Sequence, residues 1–498
     1  MSTERESWSA RSGFILAAIG SAVGLGNIWR FPYVAYENGG GAFFLPYLVA
    51  LLTAGFPLLF LDYIVGQKYK GAPPTAYRRL VKSAEGIGWW QVAVCTVIGI
   101  YYASVLSWAG NYTIFALDQS WGDDPKTFFL SQYLQMASAV EFTYLPNLFI
   151  GLVVVWALVL LIMYGGIKKG VELCNKIFIP LLIVMFGIMV AKAVSLEGAS
   201  LGLDGFFKPD WSGLASSKVW LAAYGHVFFS MSIGFGIMVT YASYLKKNAN
   251  LTGSGLVVGF ANSSFELLAG IGIFSAIGFM AHTQGVGIKD VAAGGPGLAF
   301  MVFPKIISTM GGVGNLVGFL FFASLFVAGV TSMASILQVP ISAVQDKFGW
   351  SKNKAVTIVG GGSAIISIIL FSTTSALILV DIIDHFANNI GIVFGAILSI
   401  IWVTWVHRSL LPKLIEHNNR ISSIKLGKGW AFMLTVITPV SLIVTLSLSL
   451  VELFQKNYEG YTTGTLLVFG WGVVALFALS ALVLPRIKSH PNHDGKNK

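Results

Sequence analysis

The amino-acid sequence predicts an all-α polytopic membrane protein of twelve transmembrane helices, two groups of five related by inversion plus two more. Three observations carry this reading. The chain has 498 residues, 55% hydrophobic and only 11% charged, with a mean hydropathy of +0.75. A soluble chain carries roughly 25% charged residues, so soluble domains cut from this one would expose far too much apolar surface. The apolar residues are gathered into stretches of membrane-crossing length. Two of those stretches are interrupted at corresponding places, at Val23-Gly24-Leu25-Gly26-Asn27 and at Ser230-Met231-Ser232-Ile233-Gly234-Phe235-Gly236.

The twelve stretches cover about 12–36, 41–68, 89–117, 146–164, 170–193, 219–244, 252–281, 312–345, 355–379, 381–407, 430–453 and 463–486. A crossing needs ~20 apolar residues, so the longer stretches are expected to tilt, break or project from the membrane. The first and sixth carry the interruptions. In hydrocarbon a broken helix leaves N–H and C=O groups unpaired, which is tolerable only where protein or a water-filled cavity satisfies them. Paired breaks in corresponding positions of two halves point to a substrate and ion site at the midplane of a secondary transporter. Gly170 and Pro180 frame the start of the fifth stretch, and both weaken helix, so local unwinding is expected there. The segment 285–308 is Gly-rich and only moderately apolar, and reads as an external loop with short helices over a vestibule.

Each broken span opens a group of five. Five is odd, so the second group runs inverted relative to the first. The organisation is therefore residues 1–193, an external connection at 194–218, an inverted half at 219–407, and the last two spans with the tail at 408–498. Most of the 32 Lys and Arg residues fall in the tails and loops of one side. Lys126, Lys208, Lys218, Lys289, Lys305 and Lys456 fall on the other. The positive-inside rule then places both termini in the cytoplasm of a multi-pass cell-membrane protein. The net charge of +10 is a topology and lipid-headgroup signal, because no basic soluble module for nucleic acid is present. Residues 1–11 are polar, and no cleavable signal is visible. Cys95 and Cys174 suggest neither a disulfide nor a metal framework.

The first break continues into Asn27-Ile28-Trp29-Arg30-Phe31-Pro32-Tyr33 and Glu37-Asn38-Gly39-Gly40-Gly41-Ala42-Phe43. Tyr101-Tyr102, Phe228-Phe229-Ser230-Met231-Ser232, Gly294-Gly295-Pro296-Gly297-Leu298-Ala299-Phe300 and Ala328-Gly329-Val330-Thr331-Ser332 follow in order. Over essentially the whole chain, these motifs resemble the neurotransmitter:sodium symporter family, in its prokaryotic amino-acid transporter branch, whose architecture is the LeuT fold.

The resemblance implies two sodium ions and no organic cofactor. The first ion would take the carbonyl of Ala22, the side chains of Asn27, Ser230 and Asn262, and the substrate carboxylate. The second would take carbonyls of Gly20, Val23 and Ala328 with the hydroxyls of Thr331 and Ser332. Unwound backbone presents such carbonyls, so breaks and ions coincide. The substrate carboxylate would meet free N–H groups at Gly24, Leu25 and Gly26, where a helix N-terminus favours an anion, together with the Tyr102 phenol. The ammonium would meet carbonyls around Phe229 and the second break. The monoamine branch of the family carries aspartate at the Gly24 position, so Gly24 argues for an amino acid over an amine. The side chain would lie among Leu25, Ile98, Phe229, Ser232, Phe235, Ser332, Ser335 and Ile336. That lining suits a neutral, small-to-medium aliphatic amino acid.

Charged residues inside spans mark function, because an unpaired Arg there costs about 2.5–3.5 kcal/mol on insertion scales. By resemblance, Arg30 and Asp384 form an outer gate with Phe229 and Tyr102 as the lid, and Arg5, Trp8, Tyr244 and Asp346 form an inner gate. His226, where the family often has glutamine, is expected to hydrogen-bond near Arg30 or to pack. Asp381 has no assigned role. Glu266 stands where chloride-dependent relatives have serine, so its carboxylate would replace the anion and make transport chloride-independent.

An enzyme is excluded as the better reading. No His-Glu-x-x-His occurs, and the one Gly-x-Ser-x-Gly match, Gly198-Ala199-Ser200-Leu201-Gly202, lies in an external loop without the strand–turn–helix that motif requires. The rival is an amino-acid-gated channel or sensor on the same fold. The residues do not determine the oligomeric state.

Overall fold

The computed structural model describes residues 6–292 and 295–494 and is helical nearly throughout. Arg5, expected in the inner gate, lies outside the described residues. Ten continuous helices are long and apolar enough to cross a membrane. These are α2 (Gly41–Tyr69), α3 (Lys82–Phe115), α4 (Pro146–Tyr164), α5 (Ile167–Val194), α7 (Leu251–Gln284), α8 (Gly311–Phe348), α9 (Lys352–Phe371), α10 (Ala376–Val406), α11 (Lys428–Gly460) and α12 (Thr463–Arg486). An eleventh span is bent by 54° between α1a (Arg11–Ala22) and α1b (Leu25–Glu37). The twelfth consists of α6a (Ser217–Ser230) and α6b (Ile237–Ser243), separated by six residues without helix. The chain is thus a multi-pass membrane protein.

Local chemistry sets the ends. The Asn250 side chain caps α7 by accepting from the Gly253 N–H at 3.0 Å, satisfying one of the orphan donors of a first turn. Gly349, at φ 67°, closes α8 in the left-handed conformation that costs glycine nothing. α5 remains helical across Gly170 and Pro180, with a widened turn at Ile167–Glu172 in place of the expected unwinding. Its Pro180 sits inside the helix, where a missing donor weakens but need not break a membrane helix.

α3 and α8 share the most extensive contact in the molecule, and α1a packs against α5, α7 and α8. α6b packs on α2. The apolar cores of α2 and α8 are each 78% buried within the protein, against 22% for α11 and α12. The last two helices are therefore peripheral, and the broken spans lie in the middle. Short helices Ala199–Phe207 and Leu298–Thr309 both pack against α7.

Candidate functional site

Val23 and Gly24 are extended between the halves of the first span. The carbonyl end of α1a and the amide end of α1b therefore open onto the same space. One of those amides is already used: the Gly24 N–H donates to Asn27 Oδ1 at 2.9 Å. In the other break, Ser232, Gly234 and Gly236 take φ values of 53°, 84° and 92°, which glycine adopts freely and serine does not. The Gly234 N–H donates to Asp62 Oδ2 at 3.3 Å, and its carbonyl accepts from Gln91 Nε2 at 3.1 Å. Ser232 Oγ donates to the Ser21 carbonyl at 2.9 Å, which ties one break to the other.

Between them is a cavity of about 90 Å³. Its walls include Ala22, Gly24, Leu25, Gly26 and Asn27 from the first span, with Ile98 and Tyr102 from α3. Phe229, Ser230, Ser232 and Phe235 come from the second break, and Ser332 and Ile336 from α8. A Cβ on Gly24 would stand 3.0 Å from Ser332 Oγ and 3.6 Å from the Tyr102 oxygen, so a longer side chain there would crowd this end. Ser335 does not line the cavity, contrary to the sequence expectation. It accepts from the Tyr241 hydroxyl at 2.7 Å and donates to the Thr331 carbonyl at 2.9 Å, because its place on α8 turns it toward α6b.

Oxygens converge beside this cavity in two places. Thr331 Oγ1 lies 3.0 Å from the Gly20 carbonyl and 2.9 Å from that of Ala328, and Ser332 Oγ lies 3.1 Å from Gly20. Such an all-oxygen group from a helix end and two hydroxyls can hold a hard monovalent cation. Val23, also expected here, points its N–H to the Ile19 carbonyl at 2.7 Å. In the second place, Asn27 Nδ2 donates to Asn262 Oδ1 at 2.8 Å, and Asn262 Nδ2 to Ser230 Oγ at 2.6 Å. Glu266 backs this set. Its Oε1 accepts from Ser230 at 2.5 Å and from Asn27 at 3.4 Å, and its Oε2 accepts from Tyr47.

His226 bonds Glu266 and not the region of Arg30: its Nε2 is 2.7 Å from Oε1. The inward turn of α6a faces it to α7, where Phe31 and Tyr47 flank the ring.

Beside the Phe229 end of the cavity, Arg30 and Asp384 do not make a direct ion pair. The Arg30 guanidinium lies 4.7 Å above the Phe229 ring, a cation–π arrangement. Asp384 Oδ1 accepts from Tyr101 at 2.6 Å and from Asn388 at 2.7 Å. Two neutral donors thus share Oδ1, and the cation rests on the Phe229 ring. Asp381 accepts from Tyr458 at 3.0 Å and Tyr461 at 2.9 Å, so it anchors the turn between α11 and α12.

The N-terminal arm packs on the far end of α6b. The buried Trp8 donates from Nε1 to the Tyr241 carbonyl at 2.9 Å, and its N–H donates to the Tyr244 carbonyl at 3.3 Å. The Tyr244 hydroxyl is 2.6 Å from Ser342 Oγ, and Asp346 Oδ2 accepts from the Ala72 N–H at 2.7 Å.

Sequence reasoning missed Asn388 and Ile392, which line the cavity from α10. Their spacing from Asp384 in successive steps of four was the available signal, since i and i+4 share a helix face. It also missed Asn175 of α5, whose buried Oδ1 packs so closely on Gly20 that a Cβ there would overlap it.

A family model described as the sodium:neurotransmitter symporter family matches residues 5–124 and 119–489. An uncharacterized sodium-dependent transporter of Methanocaldococcus jannaschii is 40% identical over 490 residues, covering 98% of each chain. A sodium-dependent serotonin transporter of Drosophila melanogaster is 28% identical, over 92% of this chain and 78% of its own. Among solved structures, that of MhsT in complex with L-phenylalanine superposes with a TM-score of 0.75 at 31% identity, over 90% of this chain and 100% of its own.

Proposed function

This chain belongs to the sodium:neurotransmitter symporter family of sodium-coupled transporters, and from that premise we propose that it carries a neutral, small-to-medium aliphatic amino acid with two sodium ions, independently of chloride. The observation that supports this best is the enclosure of one small cavity between two helix breaks, flanked by two groups of oxygens.

The substrate carboxylate lies against the first amides of α1b and the Tyr102 hydroxyl, where a helix N-terminus carries partial positive charge. The ammonium lies against carbonyls at the ends of α1a and α6a, where the partial charge is negative. Ile98, Phe235, Ile336 and Ile392 surround the side chain. A cavity of about 90 Å³ is small, which favours alanine, valine or leucine over bulkier side chains. Burial of each methylene is worth ~0.8 kcal/mol, so preferences within the set are graded.

The carboxylate of Glu266, beside Asn27 and Ser230, supplies the negative charge that an anion would otherwise bring. Each charge moved through 100 mV releases ~2.3 kcal/mol. Two ions therefore support roughly a thousandfold gradient of a net-neutral solute, at 1.4 kcal/mol per decade. Access alternates as the broken spans rock against α3 and α8 between the Phe229 lid and the Trp8 plug.

The test is uptake of a panel of labelled amino acids by purified protein in liposomes. Accumulation is expected only with sodium directed inward, unchanged when gluconate replaces chloride. Solute-saturable binding without accumulation would mark a sensor, and large non-saturating currents a channel. Either would reject this reading.

A further inference from the structure

The larger cavity lies far from the breaks, where α10 ends. It is a groove of about 710 Å³ between α10, the helix Leu410–Ile421 and α11. Leu411, Ile415, Val436 and Val440 form apolar walls, and Trp405 and Arg408 line it with them. The groove faces outward from the helix bundle: Trp405 and Val440 are 40% and 49% exposed. α10 and α11 are membrane-crossing helices, so this surface looks into lipid.

Charge distinguishes what fits. The chain leaves helix at His407, and Arg408 follows with only its Nε–H engaged, toward the Trp405 carbonyl at 3.3 Å. Among the described residues Arg408 makes no ion pair. The acid in the groove, Glu416, is held by Arg420 at 2.5 Å. A guanidinium thus lines an apolar trough with its planar fork free. Trp405 Nε1 donates to the Thr435 carbonyl at 2.9 Å, which fixes the indole as a wall joining α10 to α11. Guanidinium groups bind phosphate through two parallel hydrogen bonds. Basic pockets between membrane helices recognise lipid headgroups in the same way. A zwitterionic headgroup would bring a second cation to Arg408 with the groove's carboxylate already taken.

We propose that this groove is a binding site for an anionic phospholipid, its phosphate on Arg408 and an acyl chain along Leu411, Ile415, Val436 and Val440.

Native mass spectrometry of the delipidated full chain tests this, with dioleoyl phosphatidylglycerol titrated against dioleoyl phosphatidylcholine. The anionic lipid is expected to bind about fivefold more tightly, the effect of one cation near such a headgroup. Arg408→Gln should abolish that preference. Lys354→Gln should keep it, because Lys354 stacks on Trp350 away from the groove. Val440→Trp, which fills the trough, should lose both lipids and keeps the test open if Arg408→Gln misfolds. An unchanged preference in Arg408→Gln, or unchanged lipid binding in Val440→Trp, overturns the proposal. So does displacement of the lipid by soluble glycerol phosphate, which would make the ligand a free phosphate.

Discussion

His226 Nε2 lies 2.7 Å from Glu266 Oε1, and neither side chain reaches solvent. The same carboxylate receives Ser230, Asn27 and Tyr47, so one acid joins α1b, α2, α6a and α7 behind the Asn27–Asn262–Ser230 set. Away from solvent, a carboxyl so enclosed relies on these donors for its hydrogen bonds.

Replacing that carboxyl should create an anion requirement. Uptake by the parent is expected to be indifferent to chloride, whereas Glu266→Ser should need it. Uptake measured in chloride and in gluconate checks this, and a Glu266→Ser protein active in gluconate would contradict it.

The donor from α6a can be tested separately. His226→Gln retains an N–H donor for Glu266, while His226→Leu leaves the acceptor one bond short. An unmade buried bond costs about 1–3 kcal/mol, so His226→Leu should show the lower thermal midpoint and the higher half-saturating sodium.

At the other oxygen group, Thr331→Val removes one oxygen without changing shape. Half-saturating sodium should rise about tenfold, equivalent to the loss of one charge-assisted contact of roughly 1.5 kcal/mol. Thr331→Ser should transport like the parent. Sodium titration of uptake measures both.

Cavity size should govern preference. Ile392→Ala removes three carbons from the wall and is expected to move the optimum toward larger side chains, by about fourfold per methylene gained. Competition between alanine, valine, leucine and phenylalanine measures the shift.

His417 gives a pH dependence outside the membrane. Its Nε2 is 2.7 Å from Gln67 Oε1. Burial first, then Lys68, Lys70 and Arg420, holds its pKa below the ordinary 6.5. A depressed histidine binds protons more readily unfolded, so its contribution is whole above about 6.5 and is lost as pH falls through the lower folded value. The thermal midpoint should fall more steeply below pH 6.5 in the parent than in His417→Gln.

The spans and their breaks were legible because long apolar runs and Gly-x-Gly interruptions are local features. Partnerships were legible only where a family likeness supplied them. Arg30 and Asp384 were visible as two charges in apolar surroundings, yet nothing local shows that Tyr101 and Asn388 would occupy the carboxylate first. His226 and Glu266 are 40 residues apart, and only the packing of α6a on α7 decides that they meet. Ser335 was misplaced for a related reason: one position along α8 decides whether a side chain faces the cavity, as Ile336 does, or the Tyr241 hydroxyl.

The glycine at the start of α1b bears on how such a molecule can move. A Cβ on Gly26 would come within 2.3 Å of the Phe229 ring, the ring that also carries the Arg30 guanidinium. Roof and floor of the chamber are therefore in gear, with no slack between them. If the cargo's carboxylate sits on the first amides of α1b as proposed, a tilt of that half-helix would press on the ring, and freeing the carboxylate would go together with moving the aromatic cover.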